Sequence, residues 1–283
     1  MHPVAYAVGM TTQQLVLSLV LATMVFAVAL EVKPSDFKRV AQTPKSVICG
    51  LIPQFILLPA CTWLATLVLD LPANIEVAMI LVASCPGGSL SNVVTHYGRG
   101  NTALSVSVSA VASVIALFAT PFNFSWMVAT NPNTASWLKQ LAINPSDIWF
   151  SLVLLLALLG LTVLALLMLL AFIVLGLIKE RQLLNMALLP LLLIVVLHNA
   201  SGLLLGWLTS KAFGVSERDR RAVMIEGGMQ NAGLALGIIA VQFGSDLGMV
   251  TLASLWGIWH IISGMSLATW WRRLDAQRGA AHA

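Results

Sequence analysis

Cys85-Pro86-Gly87-Gly88-Ser89-Leu90-Ser91-Asn92 and Glu226-Gly227-Gly228-Met229-Gln230-Asn231 decide how this chain folds. Each is a short polar, glycine-rich run set inside an apolar stretch, one in each half of the chain. Hydrocarbon offers the backbone no hydrogen-bond partner, so a helix broken at membrane depth is tolerated where it is buried in protein or lines a cavity. Interruptions at corresponding places in two halves are the sequence mark of a secondary transporter's binding site.

The surrounding composition agrees with that reading. The 283 residues are 59% hydrophobic and 9% charged, against about 25% charged for a soluble domain. Asp, Glu, Lys and Arg are absent from Ser46 to Leu69, Val77 to Gly98, Asn101 to Leu138, Ile148 to Ile178, Gln182 to Ser210 and Leu247 to Trp271. Most of these runs exceed the roughly 20 residues that cross the hydrocarbon. With Thr11 to Leu30, and with Ala222 to Phe243, which holds the single acid Glu226, the pattern predicts an all-α polytopic membrane protein of about eight or nine spans.

The formal charge of +4 is no nucleic-acid footprint, because the basic residues occupy short connecting loops and set orientation. Lys33, Lys38, Arg39 and Lys45, then Lys179 and Arg181, Lys211, Arg218, Arg220 and Arg221, and Arg272, Arg273 and Arg278 mark cytoplasmic loops; Asp70, Glu76 and Asp246 are then outside. A single crossing between Ile148 and Ile178 breaks this pattern, and either three crossings between Ile148 and Ser210 or one apolar stretch that does not cross fully restores it. The first apolar run lacks a basic leader and a small-residue cleavage site, and reads as a retained helix. Cys49, Cys61 and Cys85 have neither metal spacing nor a disulfide pattern.

Glu226 is the only carboxylate expected inside a span, and a lone intramembrane acid is a functional candidate by default. The half-helix beginning near Ser89 to Asn92 aims free amides and a partial positive charge into the break, where the preceding half-helix leaves free carbonyls. Ser91, Asn92, Gln230 and those carbonyls are hard oxygen donors suited to sodium. Ser105 and Ser109, four apart, share one helix face. Blander readings stand beside these: Gly87 and Gly88 serving helix packing, Glu226 a neutral hydrogen-bonded acid, and Ser105 and Ser109 bonding back to their own helix. Gln54 reads equally as a cavity ligand or an interhelical hydrogen bond, and His198, Asn199 and His260 as polar packing groups.

The first run, followed by Arg99-Gly100-Asn101 and Ala103-Leu104-Ser105, resembles the first crossover helix of the bile acid:sodium symporters, and the second run with Leu234-Ala235 is similar to that family's second. Lys33-Pro34-Ser35-Asp36-Phe37, Gln54-Phe55 with Pro59 and Trp63, His198-Asn199 with Gly202 and Gly206, and Trp259-His260 with Ser263-Gly264 extend the resemblance over most of the chain. It implies inverted repeats: a core, near 45–120 and 187–273, holding two crossing discontinuous helices, packed on a smaller panel near 11–32 and 147–180. It further implies one sodium site of Ser91, Asn92, Ser105, Ser109 and Glu226, and a second of Gln54, Glu226, Gly227, Met229 and Gln230. Substrate would meet Ser89, Leu90, Asn231 and His260. The expected activity is sodium-coupled symport of an organic anion, bile acid-like, pantoate-like or a small carboxylate, by alternating access in a bacterial inner membrane. No enzyme activity, organic cofactor, nucleic acid or obligate protein partner is expected. A proton-coupled carrier using Glu226, or a non-transporting relative, is the alternative.

Overall fold

The computed structural model describes residues 41–140, 188–244 and 246–280. The span expected at 11–30, the apolar run at 148–178 and the panel built from them lie outside these residues. Apart from one isolated β-bridge, the regular structure described is helical.

The first described span, Pro44–Thr66, is α1 (Pro44–Ile52), a π turn (Pro53–Leu57) and α2 (Leu58–Thr66). Proline has no amide to give the carbonyl four residues back, and the helix widens at Pro53. The next apolar run is split by the first polar run into α3 (Ala73–Ser84) and α4 (Leu90–Tyr97). A long α5 (Thr102–Thr130) and a short α6 (Pro132–Gln140) follow; Asn131 ends the helix that the charge-free run to Leu138 left continuous. In the second half, α7 (Leu188–Ala212) precedes α8 (Glu217–Gly228), α9 (Ala232–Gln242) and α10 (Leu247–Ala280). Among the described residues four helices are long and apolar enough to span a membrane: Pro44–Thr66, Thr102–Thr130, Leu188–Ala212 and Leu247–Arg278. Large apolar side chains stand exposed along them, among them Ile56, Leu64, Phe118, Leu193, Leu197 and Ile258, as a hydrocarbon solvent permits.

Hydrogen bonds at the helix ends sort the described charges into two layers. At one end Arg221 makes a bidentate pair with Asp275 at 2.8 and 2.7 Å, Asn101 Nδ2 donates to Asp219 at 2.7 Å, and Ser46 donates to the same carboxylate at 3.1 Å. At the other, Asn74 Nδ2 donates to Asp246 at 3.0 Å, and the Leu71 amide and Asn131 Nδ2 donate to Glu76 at 3.2 and 3.1 Å. Lys45, Arg99, Lys211, Arg218, Arg220, Arg221, Arg272, Arg273 and Arg278 therefore share one end and Asp70, Glu76 and Asp246 the other, with Lys139 the basic exception among the described residues. The basic end is the one that the positive-inside rule expects on the cytoplasmic side. Helix α3 thus enters its break from the acidic end, and α8 from the basic end. Gln140 and Leu188 both lie toward the acidic end, a parity met equally by three crossings between Ile148 and Ser210 and by one apolar stretch that does not cross fully; residues 141–187, which decide between them, lie outside the described residues. One expectation needs correction: Glu76 lies at the acidic end but is fully buried in the first turn of α3, so Glu226 is not the only buried carboxylate on an apolar helix.

Glycine sets how closely α7 and α8 approach. A Cβ on Gly202 would stand 2.5 Å from the Gly227 carbonyl oxygen, and one on Gly206 would stand 2.7 Å from that of Val223. Small residues let membrane helices pack backbone to backbone, where no hydrophobic force drives them together. Elsewhere the main core joins α3, α5, α9 and α10 through Ile80, Leu81, Phe124, Ile238 and Trp256.

Candidate functional site

The two breaks meet. Gly87 and Gln230 form an antiparallel bridge, and the Asn231 amide donates to the Pro86 carbonyl at 2.7 Å. Chain ends that would be costly in hydrocarbon are answered one by one. Thr120 Oγ1 donates to the Ser84 carbonyl at 2.8 Å, Gln230 Nε2 to that of Gly227 at 3.2 Å, and Asn199 Nδ2 to that of Gly228 at 2.6 Å. Asn199 thus caps the end of α8; read as a polar packing group, it has a sharper job than a lone amide in an apolar run discloses.

The Glu226 carboxylate, fully buried, lies at this crossing. Its Oε1 accepts from Ser91 at 2.6 Å, Ser105 at 2.5 Å and Ser109 at 3.2 Å. Its Oε2 accepts from Ser109 at 3.2 Å and from Gln54 Nε2 at 3.4 Å. Asn92 Oδ1 faces Ser105 at 2.8 Å and Ser109 at 3.4 Å, and Ser91 Oγ also reaches the Gly88 carbonyl at 2.7 Å and Ser109 Oγ at 3.5 Å. Three hydroxyls bring three protons to eight close oxygen–oxygen contacts, so most of these contacts carry no proton. An arrangement with more lone pairs than protons is what a hard cation completes.

Helix α5 supplies its own comparison. Ser107 and Ser113 bond back to the carbonyls of Ala103 and Ser109 at 2.9 and 2.8 Å, while Ser105 and Ser109 turn to Glu226 instead. The back-bonding reading of these two residues is thereby set aside, and a shared face at four-residue spacing is what delivers both hydroxyls.

A second group of oxygens surrounds Gly87. A Cβ there would lie 3.0 Å from Glu226 Oε2, 3.2 Å from the Met229 carbonyl oxygen and 3.3 Å from Gln54 Oε1. Gly88 is different: the nearest atoms to its would-be Cβ belong to Asn231, at 3.8 to 3.9 Å. Gln54, carried by the π turn, accepts from the Gly87 amide at 2.9 Å and donates to the Gly50 carbonyl and to Glu226. These bonds bear out the reading of Gln54 as an interhelical hydrogen-bonding group. Gln230 Oε1 is buried without a hydrogen bond. The Gly227 carbonyl turns toward Gly202 of α7.

The residues expected to face substrate are placed differently from one another. Ser89 is half-buried and precedes α4 without a side-chain cap bond, and Leu90 is exposed. Asn231 Oδ1 accepts from the Leu234 amide at 2.9 Å and so caps α9, which ties part of that side chain to the fold. His260 is buried, its Nδ1 2.8 Å from the carbonyl oxygen of Trp256 on its own helix. His198 is held in a packing network: Trp256 Nε1 donates to its Nδ1 at 3.1 Å, and its Nε2 lies 2.9 Å from Thr62 Oγ1.

A family model described as the sodium bile acid symporter family matches residues 18–207. The chain is 31% identical over 268 residues to an uncharacterized sodium-dependent transporter of Bacillus subtilis, YocS, a match covering 91% of this chain and 83% of that protein. That match is long enough to take in both interrupted runs. A probable chloroplastic sodium/metabolite cotransporter of Oryza sativa subsp. japonica, BASS1, is 31% identical over 257 residues, covering 84% of this chain and 61% of that protein. The human ileal sodium/bile acid cotransporter is 26% identical over 102 residues, 36% of this chain and 29% of its own length.

Proposed function

The chain belongs to the sodium bile acid symporter family, a family of membrane transporters and not of enzymes, and from that premise we propose that it is a sodium-coupled symporter of an organic anion working by alternating access. The observation that carries this reading is the proton-poor oxygen cluster on Glu226 at the crossing of two broken helices. One sodium ion is assigned to Ser91, Asn92, Ser105, Ser109 and Glu226. A second is assigned to Glu226, Gln54, Gln230 and the carbonyls of Gly227 and Met229, a group supported by the three oxygens beside Gly87 and by the unsatisfied Gln230 Oε1. Two cations sharing one carboxylate leave little uncompensated charge in a low-dielectric site, where an unpaired charge is expensive.

Opposite entry of α3 and α8 into the crossing supports an inverted repeat. The elements near 45–120 and 187–273 are assigned to the core, and the segments near 11–32 and 147–180, outside the described residues, to the panel. The anion is assigned to the start of α4, where the amides of Ser89 and Leu90 make no backbone hydrogen bond among the described residues and the helix dipole favours negative charge; Asn231 and His260 complete that side. Names of the relatives include metabolites, organic anions and bile acids, which supports a carboxylate-bearing class rather than one compound. The Bacillus subtilis relative supports a multi-pass protein of a bacterial plasma membrane.

Uptake of a labelled panel of bile acids, pantoate and small keto acids into proteoliposomes tests the proposal. Accumulation of at least one anion should require an inward sodium gradient. Accumulation that ignores sodium and follows a pH gradient would overturn it in favour of proton coupling through Glu226.

A further inference from the structure

At the basic end, apart from the residues of the Glu226 cluster, the chain forms an open cavity of about 640 Å³ lined by Arg99, Thr102, Arg218, Arg221, Asp275 and Arg278, with His96, Gly100 and Glu217 completing the wall. Its size falls within the roughly 300–1,000 Å³ of small-molecule sites. It is built by the end of α4 and the turn after it, the first residue of α5, the first two turns of α8 and the last turns of α10.

The charges in its wall do not cancel. Both acids are engaged: Asp275 by the bidentate Arg221, and Glu217 by Arg220 at 2.7 Å and by Arg221 Nε at 3.5 Å. The guanidinium groups of Arg99, Arg218 and Arg278 make no hydrogen bond and no ion pair within 4 Å among the described residues, although those of Arg99 and Arg278 lie within the field of Asp275, so three guanidinium groups keep their donors for an anion. Arg221, only 5% exposed, has an Nε without a hydrogen bond. Asn101 takes the amides of Leu104 and Ser105 with its side-chain and backbone oxygens, and those of Thr102 and Ala103, at the positive end of a 29-residue helix, stay open. The positive-inside rule asks for arginines at this end, but it does not ask that they converge on one cavity.

The turn that carries Arg99 is held in place. Arg99 has φ 56°, a left-handed conformation that a non-glycine residue keeps only where its surroundings hold it, and a Cβ on the following Gly100 would stand 2.8 Å from Thr95 Cγ2. The depth of the cavity is marked by aromatic rings. Arg272 lies over Tyr97 at 4.7 Å and Arg221 over Trp271 at 5.4 Å, while Trp270 is 55% exposed. Tyr and Trp gather at the level of lipid headgroups.

We propose that this cavity is a phosphate-binding site filled by the headgroup of an anionic membrane lipid, which bridges the cytoplasmic ends of both broken helices to α10. Arginine recognises phosphate through paired, charge-assisted hydrogen bonds, and one phosphate here would engage both halves of the chain at once.

The full chain is placed in nanodiscs of phosphatidylcholine alone or with phosphatidylglycerol, and separately in detergent with inorganic phosphate or chloride, all at matched ionic strength, and thermal unfolding is followed. Phosphatidylglycerol should raise Tm by several degrees, and the variant Arg99→Gln/Arg218→Gln/Arg278→Gln should lose that rise. Lys45→Gln/Lys211→Gln/Arg273→Gln, removing equal charge from the same end outside the cavity, should keep it. Arg218→Gln alone, at an exposed position, should lose part of it and serves if the triple variant does not fold. A rise of equal size with inorganic phosphate, lost in the same variants, would keep the site and overturn the lipid as its occupant. The site itself is overturned if neither probe shifts the parent, if the cavity variants shift as far as the parent, or if the control set loses as much as they do. None of these readings depends on sodium or on transport.

Discussion

Glu226 is a buried carboxylate whose contacts are all to neutral groups. Its Gln variant keeps the shape and one oxygen but removes the charge that two cations would share. Sodium should raise the Tm of the parent, and this stabilisation, which follows from ligand linkage, should vanish in Glu226→Gln while the protein still inserts; a variant stabilised as strongly as the parent would sink the shared-carboxylate assignment. Ser105 and Ser109 each bring one neutral oxygen. Ser109→Ala should raise the sodium concentration for half-maximal uptake, and Ser105→Ala/Ser109→Ala should raise it further. Val114→Ala, half-exposed on the same helix, should leave it unchanged. Identical sodium curves for all three would return the hydroxyls to a purely structural part.

At the scale of the element, the first break distinguishes its two glycines. A methyl on Gly87 enters the space faced by Glu226 Oε2, the Met229 carbonyl and Gln54 Oε1, whereas a methyl on Gly88 meets only ordinary contacts with Asn231. Gly87→Ala is therefore expected to abolish sodium stabilisation and sodium-driven uptake, and Gly88→Ala to keep the sodium response. Equal behaviour of the two variants in a sodium titration would mean that the space beside Gly87 holds no ion. The glycines that do pack helix on helix are Gly202 and Gly206, where α7 meets α8.

For the whole molecule, the two charge layers make a topological prediction. In a background lacking Cys49, Cys61 and Cys85, Arg218→Cys should react with a membrane-impermeant maleimide only from the cytoplasmic side, and Lys139→Cys only from outside. Labelling of both from one side would overturn the orientation, and with it the placing of the arginine cavity against the cytoplasmic leaflet. Lys139 is the informative position, because it is the described basic residue that lies against the rule.

Much of this was legible in the residues themselves, because hydrocarbon imposes local rules. Charge-free runs of sufficient length located spans, the polar runs at 85–92 and 226–231 located the breaks, and four-residue spacing placed Ser105 and Ser109 on one face. Other features depend on groups brought together from distant parts of the chain, which no local pattern encodes. The bond of Asn199 to the Gly228 carbonyl, the Gln54 contacts with Gly87 and Glu226, and the burial of Glu76 beneath Asn131 are of this kind. So is the cavity, since its arginines come from the turn after α4, the first turn of α8 and the end of α10. A sequence determines which segments must leave water and where their backbones must break. Which side chains then answer each orphaned carbonyl, and which charges stay unanswered, is settled only when the helices pack.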